Sequence, residues 1–199
     1  MMKKTGPFLC YEGRNGGSML KLEYDKKQIE DVIDRIVHKT MNMDLTWDWP
    51  CGVAYYGVSE AYEKTGKEEY LKLLKDRVDE LIDLGLPKVW TVNACAMGHC
   101  LITLYEATGE QRYWDILMSK VDYIRNDALR FGDHVLQHTV SANNDFPEQA
   151  WADTLFMAAF VLLRVGVNLK AADMITDALD QWAWHIKDLQ NPGNGLYHH

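Results

Sequence analysis

A five-residue motif, Tyr-Glu-x-Thr-Gly, occurs twice in the chain and constrains its fold more than any other feature. It stands at 62–66 and again at 105–109, an offset of 43 residues. Three apolar positions downstream return at the same offset: Tyr70, Leu74 and Val78 as Tyr113, Leu117 and Val121. A period of this length is typical of a helix-turn-helix unit. Because glycine ends a helix in the left-handed conformation, each unit is predicted to be a helix, a tight turn and a returning antiparallel helix.

Apolar residues recur at helical spacing almost throughout. They predict seven helices, near 26–40, 50–65, 67–84, 93–108, 110–129, 148–165 and 169–189, with Gly166 stopping the sixth. The returning helix of each unit, such as 67–84, carries charges on one face and an apolar stripe on the other. The first helix of each unit, such as 93–108, is apolar nearly all round. The first kind predicts an outer layer and the second a buried inner layer. The pattern is that of an all-α fold, either an α/α solenoid or a closed α/α toroid, with at most a small β element at 134–140.

Size, charge and cysteine content exclude several classes of protein. The 199 residues, 47% of them apolar, predict one globular domain, 1–199, in which 1–24 form an irregular N-terminal segment. A formal net charge of −8 argues against nucleic acid as a partner, and no apolar run is long enough to span a membrane. The four cysteines lack CxxC spacing, which predicts free thiols in a reducing cytoplasm. No metal-binding or cofactor-binding motif is present, so neither is expected.

The unusual residues of the chain gather in the three loops that lead into the inner helices. These loops, 43–50, 88–93 and 138–153, are expected to open at the same end of a layered array, and each brings tryptophan together with a carboxylate or an amide. Aromatic faces with a few polar groups indicate a sugar site better than a phosphate or metal site.

Each candidate residue also has a purely structural explanation. Asp153 stands among large apolar residues in a predicted helix, where a carboxylate must be hydrogen-bonded, paired or functional, because burying it alone costs several kcal/mol. Asn93 could be only the N-cap of the fourth helix, and the tryptophans of the first loop could only seal the end of the core. Two histidines, His99 and His185, are assigned no site role.

Three segments resemble a known family. The segments 47–53, 105–109 and, above all, the run Gln-Ala-Trp-Ala-Asp-Thr-Leu-Phe-Met at 149–157 are similar to glycoside hydrolase family 105. These are the unsaturated rhamnogalacturonyl hydrolases, which are related to the family 88 unsaturated glucuronyl hydrolases. The resemblance covers the chain from about residue 25 onward and implies an (α/α)6 barrel, of which this chain would form about three and a half hairpins.

The resemblance assigns roles to individual residues. It implies that Asp153 is the general acid and base, and Asn93 stands where many members carry a second aspartate. An amide can form hydrogen bonds but cannot donate a catalytic proton. Together with the tryptophans of the first loop, the resemblance gives a set of expected substrate contacts: Trp47, Trp49, His138, Trp151, Met157 and His199.

A single acidic candidate fits an unusual glycosidase reaction. Ordinary glycosidases use two carboxylates that flank the scissile bond. Unsaturated uronyl disaccharides from pectin instead carry a C4=C5 enol ether, which one acid can protonate at C4 before it accepts a proton from the water that adds at C5. The expected partner is therefore an unsaturated uronyl oligosaccharide.

Family members are close to twice the length of this chain, so we expect an N-terminal half, or self-association through the open face of the barrel. One alternative is a helical-repeat scaffold that binds a protein partner. Another is a different α/α-toroid sugar enzyme, such as an epimerase that pairs His138 with His199.

Overall fold

The structure, a computed structural model, describes residues 25–198. Within that range the chain forms seven α-helices: α1 Lys26–Met41, α2 Trp49–Thr65, α3 Glu68–Leu84, α4 Gly98–Thr108, α5 Gln111–Asp122, α6 Phe160–Leu169 and α7 Ala172–Leu189. Three short helical segments adjoin them: a 3-10 helix Asn93–Met97 before α4, a π-helix Tyr123–Asp127 after α5 and a π-helix Leu155–Ala159 before α6. Two short strands, β1 Arg130–Phe131 and β2 Val135–Leu136, pair antiparallel. None of the helices in this range is long and apolar enough to cross a membrane.

The helices form the two layers that the sequence predicts. Each inner helix packs against the outer helix that follows it, α2 on α3, α4 on α5 and α6 on α7, and α2 also packs along the segment that leads into α4. The first seven residues of α4 are all buried, as expected of an inner helix. These three hairpins and α1 make the predicted all-α arc of three and a half hairpins.

The 43-residue repeat is a repeat of contacts. Gly66 and Gly109 end their helices in the left-handed conformation, with φ of 66° and 70°, and their amides donate to the carbonyls of Tyr62 and Tyr105. In each returning helix the repeated tyrosine donates its hydroxyl to an aspartate of the preceding outer helix: Tyr70 to Asp34 and Tyr113 to Asp79. The sequence repeat therefore marks a tyrosine–aspartate hydrogen bond between neighbouring outer helices, which occurs twice.

The sixth helix was predicted with the wrong bounds. Residues 148–153 are not helical, and the π-helix begins at Leu155, directly after the helical Thr154, so Asp153 precedes the helix instead of lying inside it. Gly166 does not stop α6, which continues to Leu169 and is capped by Lys170 in the left-handed conformation. A Cβ on Gly166 would lie 3.0 Å from the Cβ of Met174, so this glycine serves the close approach of α6 and α7.

Other bounds differ less. The fourth predicted helix begins with the 3-10 turn, and the fifth ends as α-helix at Asp122 and continues as the π-helix. The predicted β element is confirmed as the β1–β2 hairpin, although it begins earlier, at Arg130. Three of the four cysteines lie in the described range and are buried free thiols: Cys51, Cys95 and Cys100.

The long loop between α5 and α6 is held in place by α7. The Gln181 side chain accepts from the Leu136 amide at 2.8 Å and donates to the His134 carbonyl at 3.0 Å. Arg130 pairs with Asp177 at 3.2 Å. Because Gln181 is fully buried, these bonds fasten the β1–β2 hairpin to the outer layer and direct the chain that follows it toward the inner helices.

Candidate active site

The carboxyl group of Asp153 lies at the entrance to the sixth helix. The Asp153 carbonyl accepts from the Met157 amide at 2.9 Å, and only Thr154 separates the residue from the π-helix. The side chain is 35% exposed, yet its Oδ1 atom is buried and accepts no hydrogen bond from residues 25–198. The carboxyl is therefore partly accessible and partly held against the protein, as an acid that reacts with a bound ligand must be.

His138 lies beside this acid and is buried. Its Nδ1 is 3.4 Å from the Asp153 Oδ1 and 3.2 Å from the hydroxyl of Thr154. Its ring stacks on that of Trp151, with centroids 4.2 Å apart and an angle of 4° between planes. At 1% exposure, His138 leaves almost no surface for the substrate contact that the sequence suggested. Its contacts include the Asp153 carboxyl, the Thr154 hydroxyl and the Trp151 ring.

The aromatic wall beside His138 consists of the rings of Trp151 and Phe146, together with the side-chain amide of Gln149. The Trp151 indole nitrogen donates to the Gln149 side chain at 3.0 Å, and the Phe146 ring lies 4.9 Å from that of Trp151. Sequence reasoning did not single out Phe146, although its place in the third loop was a usable signal. Met157, expected at the sugar site, is 4% exposed and belongs to the core.

Asn93 joins the second loop to the third. The backbone N–H of Asn93 donates to the Thr139 carbonyl at 3.2 Å, and the backbone N–H of the neighbouring Val92 donates to the Thr139 hydroxyl at 2.9 Å. The capping bond at this turn comes from the Thr91 hydroxyl, which accepts from the Ala94 amide, so the N-cap explanation for Asn93 fails. Within the described range, the Asn93 Oδ1 atom is buried and accepts no hydrogen bond.

The two tryptophans of the first loop have different surroundings. Trp47 is buried, which matches the sealing role considered from the sequence, whereas Trp49 is exposed and begins α2. The ammonium of Lys120 lies 5.1 Å from the Trp47 ring centroid and 3.6 Å from that of Trp90. Sequence reasoning missed Lys120, because a lysine in a charged outer helix is expected to face solvent.

The two histidines without an assigned role also differ. His99 packs among aromatic rings of the inner helices, and burial lowers its pKa to about 3, so it stays neutral as a core residue. His185 of α7 is buried with its Nδ1 2.8 Å from the Gln181 carbonyl. Burial lowers the pKa of His185, and the Gln181 carbonyl and the charges of Asp188 and Asp153 oppose that shift.

The structure thus brings part of the expected site together. Asp153, His138 and Trp151 are in contact, and Asn93 connects to them through Thr139. His199 lies outside the described residues. Among 25–198, no three His, Cys, Asp or Glu side chains form a group that could hold a metal ion.

A two-layered arc of helical hairpins with an acidic and aromatic rim defines an α/α-barrel protein. The chain belongs to glycosyl hydrolase family 88, whose model matches residues 23–199. It is 46% identical over 182 residues to the unsaturated rhamnogalacturonyl hydrolase YesR of Bacillus subtilis (strain 168), a match that covers 91% of this chain and 53% of the relative. The family resemblance seen in the sequence is thereby confirmed.

Solved structures agree on the fold. Two crystal structures described as possible members of the GH105 family, from Klebsiella pneumoniae and Salmonella enterica, match with TM-scores of 0.78 and 0.82 at 22% and 23% identity. Each match covers 92% of this chain and 53% of the other. The chain therefore spans about half the length of the relatives it matches.

Proposed function

We propose that this chain carries the acid site of an unsaturated uronyl hydrolase. Its substrates would be Δ4,5-unsaturated uronyl disaccharides from the rhamnogalacturonan of pectin. The observation that carries the proposal is Asp153, a partly accessible carboxyl whose Oδ1 accepts no hydrogen bond from the described residues and lies 3.4 Å from His138. The 46% identity to an unsaturated rhamnogalacturonyl hydrolase supports the substrate class. The buried free thiols fit a reducing cytoplasm.

The reaction needs one proton donor that later accepts a proton. Asp153 donates its proton to C4 of the enol ether, which leaves an oxocarbenium-like centre at C5. Water adds at C5, and the proton that it loses returns to the Asp153 carboxylate. The resulting hemiketal opens and the rest of the sugar chain is released. Asn93 stands where many family members carry a second aspartate. Its side-chain amide can form hydrogen bonds there, and the reaction does not require a second carboxylate.

The test follows the double bond of the substrate. The ultraviolet absorbance of the unsaturated uronyl ring disappears when the C4=C5 bond is hydrated, so its loss measures turnover directly. We expect Asp153→Asn to lower kcat by about 10²–10⁴-fold, as for other positioned acids. Asp145→Asn is the control, because Asp145 lies exposed on the same loop and accepts a hydrogen bond from Ser141. A wild-type protein that leaves the absorbance unchanged, or an active Asp153→Asn variant, contradicts the proposal.

We further propose that the open face of the arc is closed by a second copy of the chain. Both end helices of the outer layer expose an apolar stripe with the same spacing: Ile29, Val32 and Ile36 on α1, and Leu179, Trp182 and Ile186 on α7. Helix α3 exposes Leu84 alone among large apolar residues, and α5 exposes none. Packing α7 of each copy on α1 of the other would bury both stripes in a closed ring of two.

A further inference from the structure

Lys120 is a buried cation that the proposed reaction does not use. It lies in the last turn of α5, its side chain is fully buried, and its Nζ donates to the Ala94 carbonyl at 3.0 Å. Among residues 25–198, no carboxylate lies within ion-pair distance of it. Burying a charge without a counter-ion is strongly unfavourable, so the site must compensate for it in another way.

Two indole faces provide that compensation. The ammonium lies 3.6 Å from the Trp90 ring centroid and 5.1 Å from that of Trp47, within the range of cation–π attraction. The titratable groups that face it are the thiols of Cys95 and Cys100, and burial raises the pKa of both, that of Cys95 to about 11. Both thiols are therefore neutral at physiological pH, and neither neutralises the ammonium.

The contacts of Lys120 connect separate parts of the rim. Trp47 belongs to the first loop, Trp90 to the second, and Ala94 directly follows Asn93 in the 3-10 turn. The 3-10 turn is itself hydrogen-bonded to Thr139, the residue that follows His138 in the third loop. One ammonium thus contacts two loops and the turn to which the third loop is fastened.

We propose that Lys120 is a positioning residue of this site, whose ammonium holds Trp47, Trp90 and the Asn93 turn together and gives the rim the positive potential that an anionic sugar requires. The inference rests on the proposed function, because a uronyl ring carries a carboxylate. Lys120 does not touch the substrate. Its charge acts through the low-dielectric layer of indoles above it, where electrostatic interactions weaken less than in water.

The first test needs no substrate. Burial lowers the pKa of Lys120 to about 8, so the ammonium loses its proton near that pH, and indole fluorescence responds to a cation over the ring. We expect tryptophan emission to change between about pH 6 and about pH 9.5, with a midpoint near the pKa of this group. The transition should be absent in Lys120→Met and present in Lys72→Met, whose lysine lies exposed on α3. A wild-type protein that lacks this transition and has the same emission spectrum as Lys120→Met throughout the range overturns the proposal; if that variant does not fold, Lys120→Gln takes its place.

The second test separates charge from packing. Calorimetry compares binding of the unsaturated uronyl disaccharide with binding of its neutral methyl ester. We expect Lys120→Met to weaken binding of the acid about tenfold and binding of the ester less than about twofold. Equal weakening of both ligands would show that the lysine only packs, and would overturn the proposal. If the wild type binds neither ligand, the proposed function fails, while the fluorescence titration still judges the role of Lys120.

Discussion

The contact between Asp153 and His138 depends on the residues around each of them. The His138 amide donates to the Gln149 carbonyl at 2.9 Å, so the two ends of the third loop are joined just before the acid. The imidazole is then held between the Trp151 face and the Asp153 carboxyl. A buried ring whose Nδ1 lies 3.4 Å from one carboxyl oxygen limits the positions that this carboxyl can take, which is what a positioned acid requires.

This arrangement predicts separate effects for the ring and the nitrogen of His138. His138→Phe keeps an aromatic face against Trp151 but removes the polar atom beside Asp153, so kcat should fall about 10–100-fold while KM changes less than about threefold. His138→Asn keeps a polar atom near the Nδ1 position and should retain more of kcat. Steady-state kinetics on the unsaturated disaccharide measures both. An unchanged kcat in the phenylalanine variant would show that His138 does not position the acid.

The buried Lys120 also predicts how stability depends on pH. Its pKa is lowered from 10.5 to about 8 by burial, so the folded state disfavours the ammonium. The unfolded chain binds more protons between these two values, and the free energy of unfolding should therefore rise with pH across that window. Below about pH 8 the full penalty applies, up to about 3 kcal/mol. Urea denaturation should show this rise in the wild type and not in Lys120→Met; parallel curves for the two proteins would contradict the shift.

At the scale of helices, the inner layer depends on close backbone approach. A Cβ on Gly52 of α2 would lie 2.5 Å from the Cβ of Ala96 and 2.8 Å from the Met97 nitrogen, in the 3-10 turn that begins at Asn93. A Cβ on Gly57, in the same helix, meets nothing within 4 Å. The first glycine therefore sets how close α2 comes to the turn, and the second does not.

The two glycines form a matched pair for mutation. Gly52→Ala should destabilise the protein by about 1–3 kcal/mol, because the inner helix and the turn must separate. Gly57→Ala should stabilise it by up to about 1 kcal/mol, because alanine loses less backbone entropy in a helix. Thermal or urea unfolding measures both changes. Equal effects at the two positions would contradict the close approach of α2 to the Asn93 turn.

The helices were largely predictable from the sequence, and the exceptions have physical causes. Apolar spacing and the repeated Gly66 and Gly109 located most of the elements, because both signals are local. The start of the sixth helix was misplaced because Ala150, Trp151 and Ala152 extend the apolar spacing toward the loop without forming helix, and Gly166 was misread because its role depends on α7. Lys120 was missed for a similar reason: only the packing of α5 under the rim shows that its ammonium is enclosed.

The candidate site was predictable in part. The resemblance of the run at 149–157 to a known family pointed to Asp153 and Trp151, and the structure brings these two residues together through His138. The sequence could not show that His138 faces the acid and is buried, because that depends on how the β1–β2 hairpin is fastened to α7. Nor could it show that Met157 packs into the core, since a residue in the middle of a π-helix does not follow α-helical spacing.

At the scale of the whole molecule, the exposed stripes on α1 and α7 predict self-association. If a second copy closes the arc, sedimentation at increasing concentration should show a dimer. Ile36→Glu and Ile186→Glu place charges in the two stripes and should each shift the protein toward monomer. Lys72→Met, outside both stripes, should leave the distribution unchanged. A wild-type protein that stays monomeric at all concentrations would contradict closure by a second copy.

The bonds from Gln181 to the β1–β2 hairpin have a consequence for synthesis on the ribosome. The hairpin and the acid are translated well before Gln181, yet the hairpin reaches its place only when that side chain holds it. Asp153 and His138 are therefore both made before the geometry that joins them exists. The nascent chain can therefore complete this arrangement only after α7 has emerged and docked.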